Sequence, residues 1–410
     1  MCIIEINIGG GEMLVQFTFK NFLSFKEETT LDMTAIHAYK EHEYNLIDIG
    51  MKDKFLKVAT IYGANASGKS NLYFAFKAFQ RIIKESFNNV ENDETKIIEQ
   101  CFLPFLFDQE EENTEFEIVL IVGDFEYQYG FEYNEECIIT EWMYRKKLST
   151  NRKVTIFERY KEMPLNLGPA VRKYCEVYKE QIPSDALVLS FFNKLKLKTD
   201  IFTTVYDGIM DTLAMDTDFY EKKSIINKIL PKVIDEGKES LLEFLGAIDT
   251  GIKDIRYERR EQEIVFFTVH KDLDGNAYAL FLDNESEGTI KSIAIYIYAK
   301  LVILQGKSLF VDELNAKLHP LLLKFIVDLF YNASSTAQLI YTTHDTTLLD
   351  KKFFRRDQIW FVQKDEQGHS ELSALSDYKV RSDASFEKDY LAGVYGGIPL
   401  LKEFTLKEGE

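Results

Sequence analysis

Eight consecutive residues, Gly63-Ala64-Asn65-Ala66-Ser67-Gly68-Lys69-Ser70, satisfy the pattern GxxxxGK[ST] at every fixed position and constrain the fold more than any other feature of the chain. The pattern carries meaning only between a strand and a helix. Residues 58–62 before it are continuously apolar and β-prone, as in a parallel strand buried on both faces. After it, Leu72, Ala75, Phe76 and Phe79 recur at helical spacing, which predicts a helix over residues 69–85. In that setting the glycines let backbone N–H groups turn inward around a phosphate. Lys69 then reaches the β and γ phosphates of a nucleotide, and the Ser70 hydroxyl can ligate magnesium. The helix N-terminus adds its partial positive charge. Asn71, in the first turn, belongs with the binding set.

Two further strands end in groups that such a loop can use. Residues 309–311 are apolar and lead into Asp312-Glu313. Taken alone, this is a solvated strand terminus. Beside a phosphate loop, adjacent acids can divide the labour: Asp312 orients the magnesium through its water shell, and Glu313 polarises the water that attacks the γ-phosphate. Residues 338–343 form another buried strand, ending in His344-Asp345, where an imidazole can hydrogen-bond the γ-phosphate. Ahead of them, Glu285-Ser286-Glu287-Gly288-Thr289 opens an apolar helix. A helix cap explains the hydroxyls, and a small hydroxyl with a glycine at a helix N-terminus also makes a second phosphate-binding surface. Spacing leaves both readings open. His319 reads as a helix-start residue, and His37, His42, His270 and His369 have no supporting context.

The rest of the chain alternates between two kinds of pattern. Residues 14–19 and 28–33 read as strands, and 116–122, 125–133 and 138–146 as an antiparallel β-subdomain. Residues 165–245 lose the two-residue period, with a helical pattern over 220–234 interrupted at Pro231. Strand alternation returns at 252–257, 263–270 and 277–282. From Gly288 onward helices alternate with strands at 308–311, 338–342 and 358–363, with a helix expected before the last. That order is the signature of an α/β parallel sheet. The expected domains are an N-terminal lobe with the phosphate loop and β-subdomain (1–150), a mainly helical insertion (151–250) and a C-terminal lobe (251–410).

Composition excludes several classes. With 46% hydrophobic and 28% charged residues the 410-residue chain is neither disordered nor low-complexity. Its 49 basic against 67 acidic residues give a net charge of −18, which repels nucleic acid over most of the surface. A DNA contact would be local, at Arg145, Lys146, Lys147, Arg152 and Lys153, or at Arg256, Arg259 and Arg260. Cys2, Cys101, Cys137 and Cys175 form no CxxC pair, so neither zinc nor a disulfide framework is indicated and a reducing cytoplasm fits. The most apolar stretch, 292–304, is interrupted by Lys300 and falls short of a membrane span. Residues 1–12 lack the regions of a signal peptide.

In order, phosphate loop, Ser-x-Gly-Thr helix start, Asp-Glu strand and strand-His resemble the nucleotide-binding head of ABC-type ATPases, in the SMC, RecF and OLD-like branch. There Asn21-Phe22-Leu23-Ser24-Phe25 looks like the N-terminal strand motif, and Asp312-Glu313-Leu314-Asn315-Ala316-Lys317-Leu318-His319-Pro320 is similar to the Walker B and D-loop block. Asn65-Ala66-Ser67, the Ser286 segment and the tail Tyr390-Leu391-Ala392-Gly393-Val394-Tyr395-Gly396-Gly397-Ile398-Pro399 look like the AAA-type ATPases of bacterial abortive-infection and restriction-linked operons, including AbiL- and RloA-like proteins.

The resemblance implies ATP and magnesium as ligands, and two heads facing each other head to tail. Each nucleotide is then held by Lys69 of one copy and by Ser286 and Gly288 of the other, with Glu313 and His344 acting in hydrolysis. It implies an antiviral regulator acting through a separately encoded effector of Toprim, HNH or RloB-like type, with DNA or a phage component as a further partner and no membrane. A RecF-like DNA-repair or replication clamp is the alternative. Glu287 and Thr289 depart from the transporter signature, and Asn315 and Lys317 stand where many relatives carry an acid and a serine. Residues 100–107 are the neighbourhood of the Q-loop. The stretch after His344 is short for a Toprim domain, so nuclease activity is expected from a partner. No heptad run supports coiled-coil arms.

Overall fold

Val58–Gly63 forms a strand with all six residues buried. It lies inside a six-stranded sheet of order Leu213–Met215, Ser308–Val311, Gln338–Thr343, Val58–Gly63, Ile359–Lys364, Ser370–Ala374. The first five strands run parallel and the last is an antiparallel edge. The structure, a computed structural model, describes residues 12–87, 96–107, 112–215, 223–248, 250–260, 263–381 and 384–399.

Successive side chains of a strand point to opposite faces, and here both faces are covered. Ala59, Ile61, Phe310, Ile340 and Val362 face one core, while Val58, Tyr62, Leu309, Val311, Leu339 and Tyr341 face a second. The helix Lys69–Glu85 fills the first core. Its Phe76 meets Phe310 of the parallel sheet at 6.0 Å and Phe17 at 5.1 Å, and Phe79 stacks on Phe131 at 5.7 Å. Phe17 and Phe131 belong to a second, seven-stranded antiparallel sheet, of order Met163–Leu167, Arg152–Tyr160, Ile138–Lys147, Phe125–Tyr133, Thr114–Val122, Met13–Lys20, Thr29–Asp32. The second core is closed by the helices Glu287–Gln305, Pro320–Tyr331 and Phe386–Leu391. A three-stranded sheet, Asp254–Arg260, Glu263–Lys271 and Ala277–Phe281, packs near the long helical run Lys223–Ala247. This is the α/β architecture expected from the sequence, a parallel sheet covered on both faces and joined to an antiparallel β-subdomain.

Several local expectations are corrected. Simple alternation over residues 14–19 sets Leu14, Gln16 and Thr18 against Val15, Phe17 and Phe19, but a bulge between Leu14 and Gln16 places Leu14 in the same core as Phe17 and Phe19, while Val15 joins a smaller cluster. The strands Arg152–Tyr160 and Met163–Leu167 extend the antiparallel sheet into the stretch read as mainly helical. The helical run Lys223–Ala247 continues through Pro231 and is interrupted instead at Gly237. Ile226, Leu230 and Ile234, four residues apart, are buried in the second core, so tertiary packing of this face offsets the proline's cost of about 3 kcal/mol.

No α-helix connects Thr343 to Ile359; the segment holds two 3-10 turns, Thr346–Leu348 and Arg356–Gln358. It is pinned by the fully buried Arg355, whose guanidinium pairs with both oxygens of Asp357 at 2.9 and 2.7 Å. The same group donates to the carbonyls of Ile36, Tyr39 and Glu41. Cys101, Cys137 and Cys175 are free and buried, while Cys2 lies outside the described residues. Among the described residues no helix is long and apolar enough to cross a membrane.

Candidate nucleotide site

Three adjacent parallel strands end together. Thr343 lies opposite Tyr62, and Val311 opposite Tyr341. Neighbouring strands are about 4.8 Å apart, so the Gly63–Ser70 loop, Asp312-Glu313 and His344 leave the sheet along one edge. The crevice outside the carboxyl ends of the strands is where open α/β sheets bind ligands.

The loop is shaped by its two fixed glycines. Gly68, at φ 114°, caps the helix with no side-chain hydrogen bond, leaving the first N–H groups open to a phosphate. A Cβ at Gly68 would collide with Ser370, and one at Gly63 would lie 2.5 Å from Ser67 Oγ and 2.6 Å from the Val362 carbonyl. Ala66 is also left-handed, at φ 63°. Lys69, only 6% exposed, curls back to donate to the carbonyls of Gly63 and Ala64, both at 2.8 Å. Burial lowers its pKa, and the charges of Glu313 and Asp312 oppose that shift, so the two acids are its electrostatic neighbours.

A polar clamp braces the loop from outside. Ser370 Oγ is 2.6 Å from the Ser67 carbonyl and 2.7 Å from Ser24 Oγ, and Asn71 donates to Ser24 Oγ at 2.7 Å. Ser24 comes from the Asn21–Phe25 motif, whose Asn21 and Leu23 are left-handed at φ 52° and 50°. The same motif anchors residues 100–107: Leu23 N donates to the Leu103 carbonyl at 2.7 Å and Phe105 N to Asn21 Oδ1 at 2.9 Å. Gln100 itself bonds Arg81. The glycine-rich tail closes the back of the loop, where a Cβ at Gly397 would be 3.6 Å from the Gly63 Cα.

The acids are oriented by the next strand. Thr342 donates its hydroxyl to Asp312 Oδ1 at 2.5 Å and accepts from the Glu313 amide at 2.7 Å. Glu313 is left-handed, at φ 49°. For a non-glycine residue this costs on the order of 1–3 kcal/mol and concentrates at functional sites. His344 is exposed, and its Nε2 is 3.2 Å from Asn315 Nδ2 of the loop that carries Glu313.

Ser286 and Gly288 sit at a different place. Ser286 caps the helix Glu287–Gln305, accepting from Thr289 N at 3.0 Å, so the capping reading holds. A Cβ on Gly288 would be 2.8 Å from the Lys317 carbonyl, and Glu287 pairs with Lys317 at 2.6 Å. The segment therefore abuts the Asp312–His319 loop of its own chain, with Ser286 exposed. His319 caps the following helix, accepting from Leu321 N. Of the basic residues considered for DNA, Lys146 pairs with Glu126, Lys153 bonds Gln128, Arg145 covers Phe125, and Arg260 pairs with Glu258.

Reading along the sequence missed Thr342 and Ser370. Each is an ordinary residue whose role comes from a partner distant in the chain, and only Ser24 lay within a motif.

The sequence profile of the family described as "AAA domain, putative AbiEii toxin, Type IV TA system" matches residues 58–350, well over half of the chain. No curated protein sequence matches significantly. Among solved structures, the SMC head bound to the C-winged helix domain of ScpA is 14% identical, with a TM-score of 0.43 over 92% of this chain and 99% of that one. The SMC head domain from Thermotoga maritima is 13% identical, with a TM-score of 0.41 over 88% and 98%. An SMC head domain with a coiled coil and joint from Pyrococcus yayanosii is 12% identical, with a TM-score of 0.44 over 93% and 99%.

Proposed function

Because the chain belongs to this AAA-domain family, we propose that it binds and hydrolyses ATP as the regulator of a bacterial anti-phage system. Two copies close head to tail on ATP and control a separately encoded effector, a nuclease. The observation that carries the reading is the convergence of Lys69, Asp312, Glu313 and His344 at the ends of three neighbouring strands.

In this reading the open N–H groups after Gly68 and the Lys69 amine hold the β and γ phosphates, with Lys69 exchanging its two carbonyl partners for phosphate oxygens. The motif residues Gly63, Ala64, Asn65, Ala66, Ser67, Ser70 and Asn71 line the cradle, whose turn is set by the left-handed Ala66 and Gly68. Ser70 and Asp312 hold magnesium, which when bound neutralises charge developing on the phosphates. Glu313 takes the proton of the attacking water, and His344 donates to the γ-phosphate. Ser286 and Gly288, on an exposed helix start, complete the phosphate bound to the second copy.

The test is Glu313→Gln, which keeps the shape of the side chain and removes the base. With ATP and magnesium the variant should elute as a stable dimer in size-exclusion chromatography with light scattering, while the wild type returns to monomer as ATP is spent. A variant that stays monomeric in saturating ATP would overturn the ATP-driven dimer.

A further inference from the structure

Lys291 lies five residues after Ser286 in the helix Glu287–Gln305 and is 1% exposed. Its amine donates to the Glu313 carbonyl at 2.9 Å and the Ala316 carbonyl at 2.8 Å. Both acceptors belong to the loop of residues 312–319, in which Glu313 and Lys317 are left-handed at φ 49° and 61°. Neither is a glycine, so the conformation persists only where the surroundings over-determine it. The loop's own bonds are few: Ala316 N to the Glu313 carbonyl and Leu318 N to the Asn315 carbonyl, each at 3.0 Å.

A buried ammonium is expensive unless its donors are satisfied. An apolar side chain of the same length would fill the space without that cost. Packing therefore does not explain a lysine here; the two carbonyl bonds do. Burial pulls its pKa down to about 8, while Glu313 acts in the opposite sense.

We propose that Lys291 is a positioning residue that fixes the left-handed turn at Glu313, aims its carboxylate at the attacking water, and ties that turn to the helix headed by Ser286. The proposal rests on the assignment of Glu313 as the base. The catalytic base and the helix start offered to the second copy's nucleotide thus share one internal strut, supplemented at the surface by Glu287 and Lys317.

The test uses the full chain with Lys291→Met, which preserves length and removes the donors, and Lys291→Arg, which restores them. Steady-state ATPase kinetics, affinity for a fluorescent ATP analogue, and amide hydrogen exchange over residues 312–318 are measured for each. In the Met variant kcat is expected to fall about 10- to 100-fold, the scale of losing an orienting partner, with KM and affinity little changed. Exchange should speed up over 312–318 and stay unchanged over 58–63, and the arginine should recover part of both effects. A Met variant with wild-type kcat and wild-type exchange in the loop overturns the proposal. Should the Met variant not fold, Lys291→Gln, with one amide donor, should show intermediate turnover and exchange, and wild-type values for it would overturn the proposal equally. If the wild type turns over no ATP, the functional reading fails, and the exchange measurement still decides whether Lys291 holds the loop.

Discussion

Thr342 donates its hydroxyl proton to Asp312 across 2.5 Å, and both residues are more than nine-tenths buried. The same oxygen accepts from the amide of Glu313. One side chain on the neighbouring strand therefore sets the rotamer of one acid and the backbone of the other.

Thr342→Val keeps the shape and removes the hydroxyl, leaving the Asp312 carboxylate short of a partner. Stability should fall by about 1–3 kcal/mol, the cost of an unsatisfied buried polar group, as read by chemical denaturation. The magnesium concentration for half-maximal ATPase activity should rise, and Thr342→Ser should restore it. Unchanged magnesium dependence in the valine variant would remove Asp312 from the metal site.

Lys69→Ala should weaken ATP binding about 10- to 100-fold, the equivalent of one charge-assisted hydrogen bond. Equilibrium binding of a fluorescent analogue measures this. The fold should survive, because the variant removes a buried charge whose hydrogen-bond partners among the described residues are two loop carbonyls. Retained affinity would be incompatible with the phosphate loop as the binding site.

Arg355→Met should cost about 3–5 kcal/mol, the range for breaking a buried ion pair by removing one partner. It leaves Asp357 with the Ile36 amide but without its counter-charge, and frees the carbonyls of Ile36, Tyr39 and Glu41. Limited proteolysis should then cut within residues 34–47 before any other described segment, and an unchanged cleavage pattern would count against this lock.

Glu141 gives a pH signature. Burial pushes its pKa up to about 7, although Val188 N, Leu189 N and the Tyr129 hydroxyl all donate to it. The folded state thus holds a proton that the unfolded chain, titrating at the ordinary carboxyl value of 4.5, releases earlier. Its contribution to stability is fully present below about pH 4.5 and is lost as pH rises through about 7. Subtracting the profile of Glu141→Gln from that of the wild type should isolate this fall; a difference that stays flat from pH 4.5 to 7 would show that Glu141 titrates normally.

The elements legible in advance share one property: their signals are local. The helix Lys69–Glu85, the strand Phe125–Tyr133 and the strand Ser308–Val311 fall on the expected residues, because periodicity and glycine act within a few positions. The strands Leu213–Met215 and Ser370–Ala374 escaped notice because what defines each is a partner strand, parallel to the first and antiparallel to the second. Arg152–Tyr160 escaped because only Ile156 and Phe157 in it are buried, which leaves its alternation weak.

By itself the sequence determined the chemical inventory: a phosphate loop between strand and helix, two acids and a histidine at strand ends, and a hydroxyl-glycine helix start. Only the tertiary structure decided how these groups are held. Ser24 meets Ser370 across 346 positions, Thr342 reaches Asp312, and Lys291 grips the carbonyl of a glutamate turned left-handed. A glutamate carries no local preference for that conformation, so contacts from elsewhere in the fold must impose it, and no pattern confined to neighbouring residues can announce them.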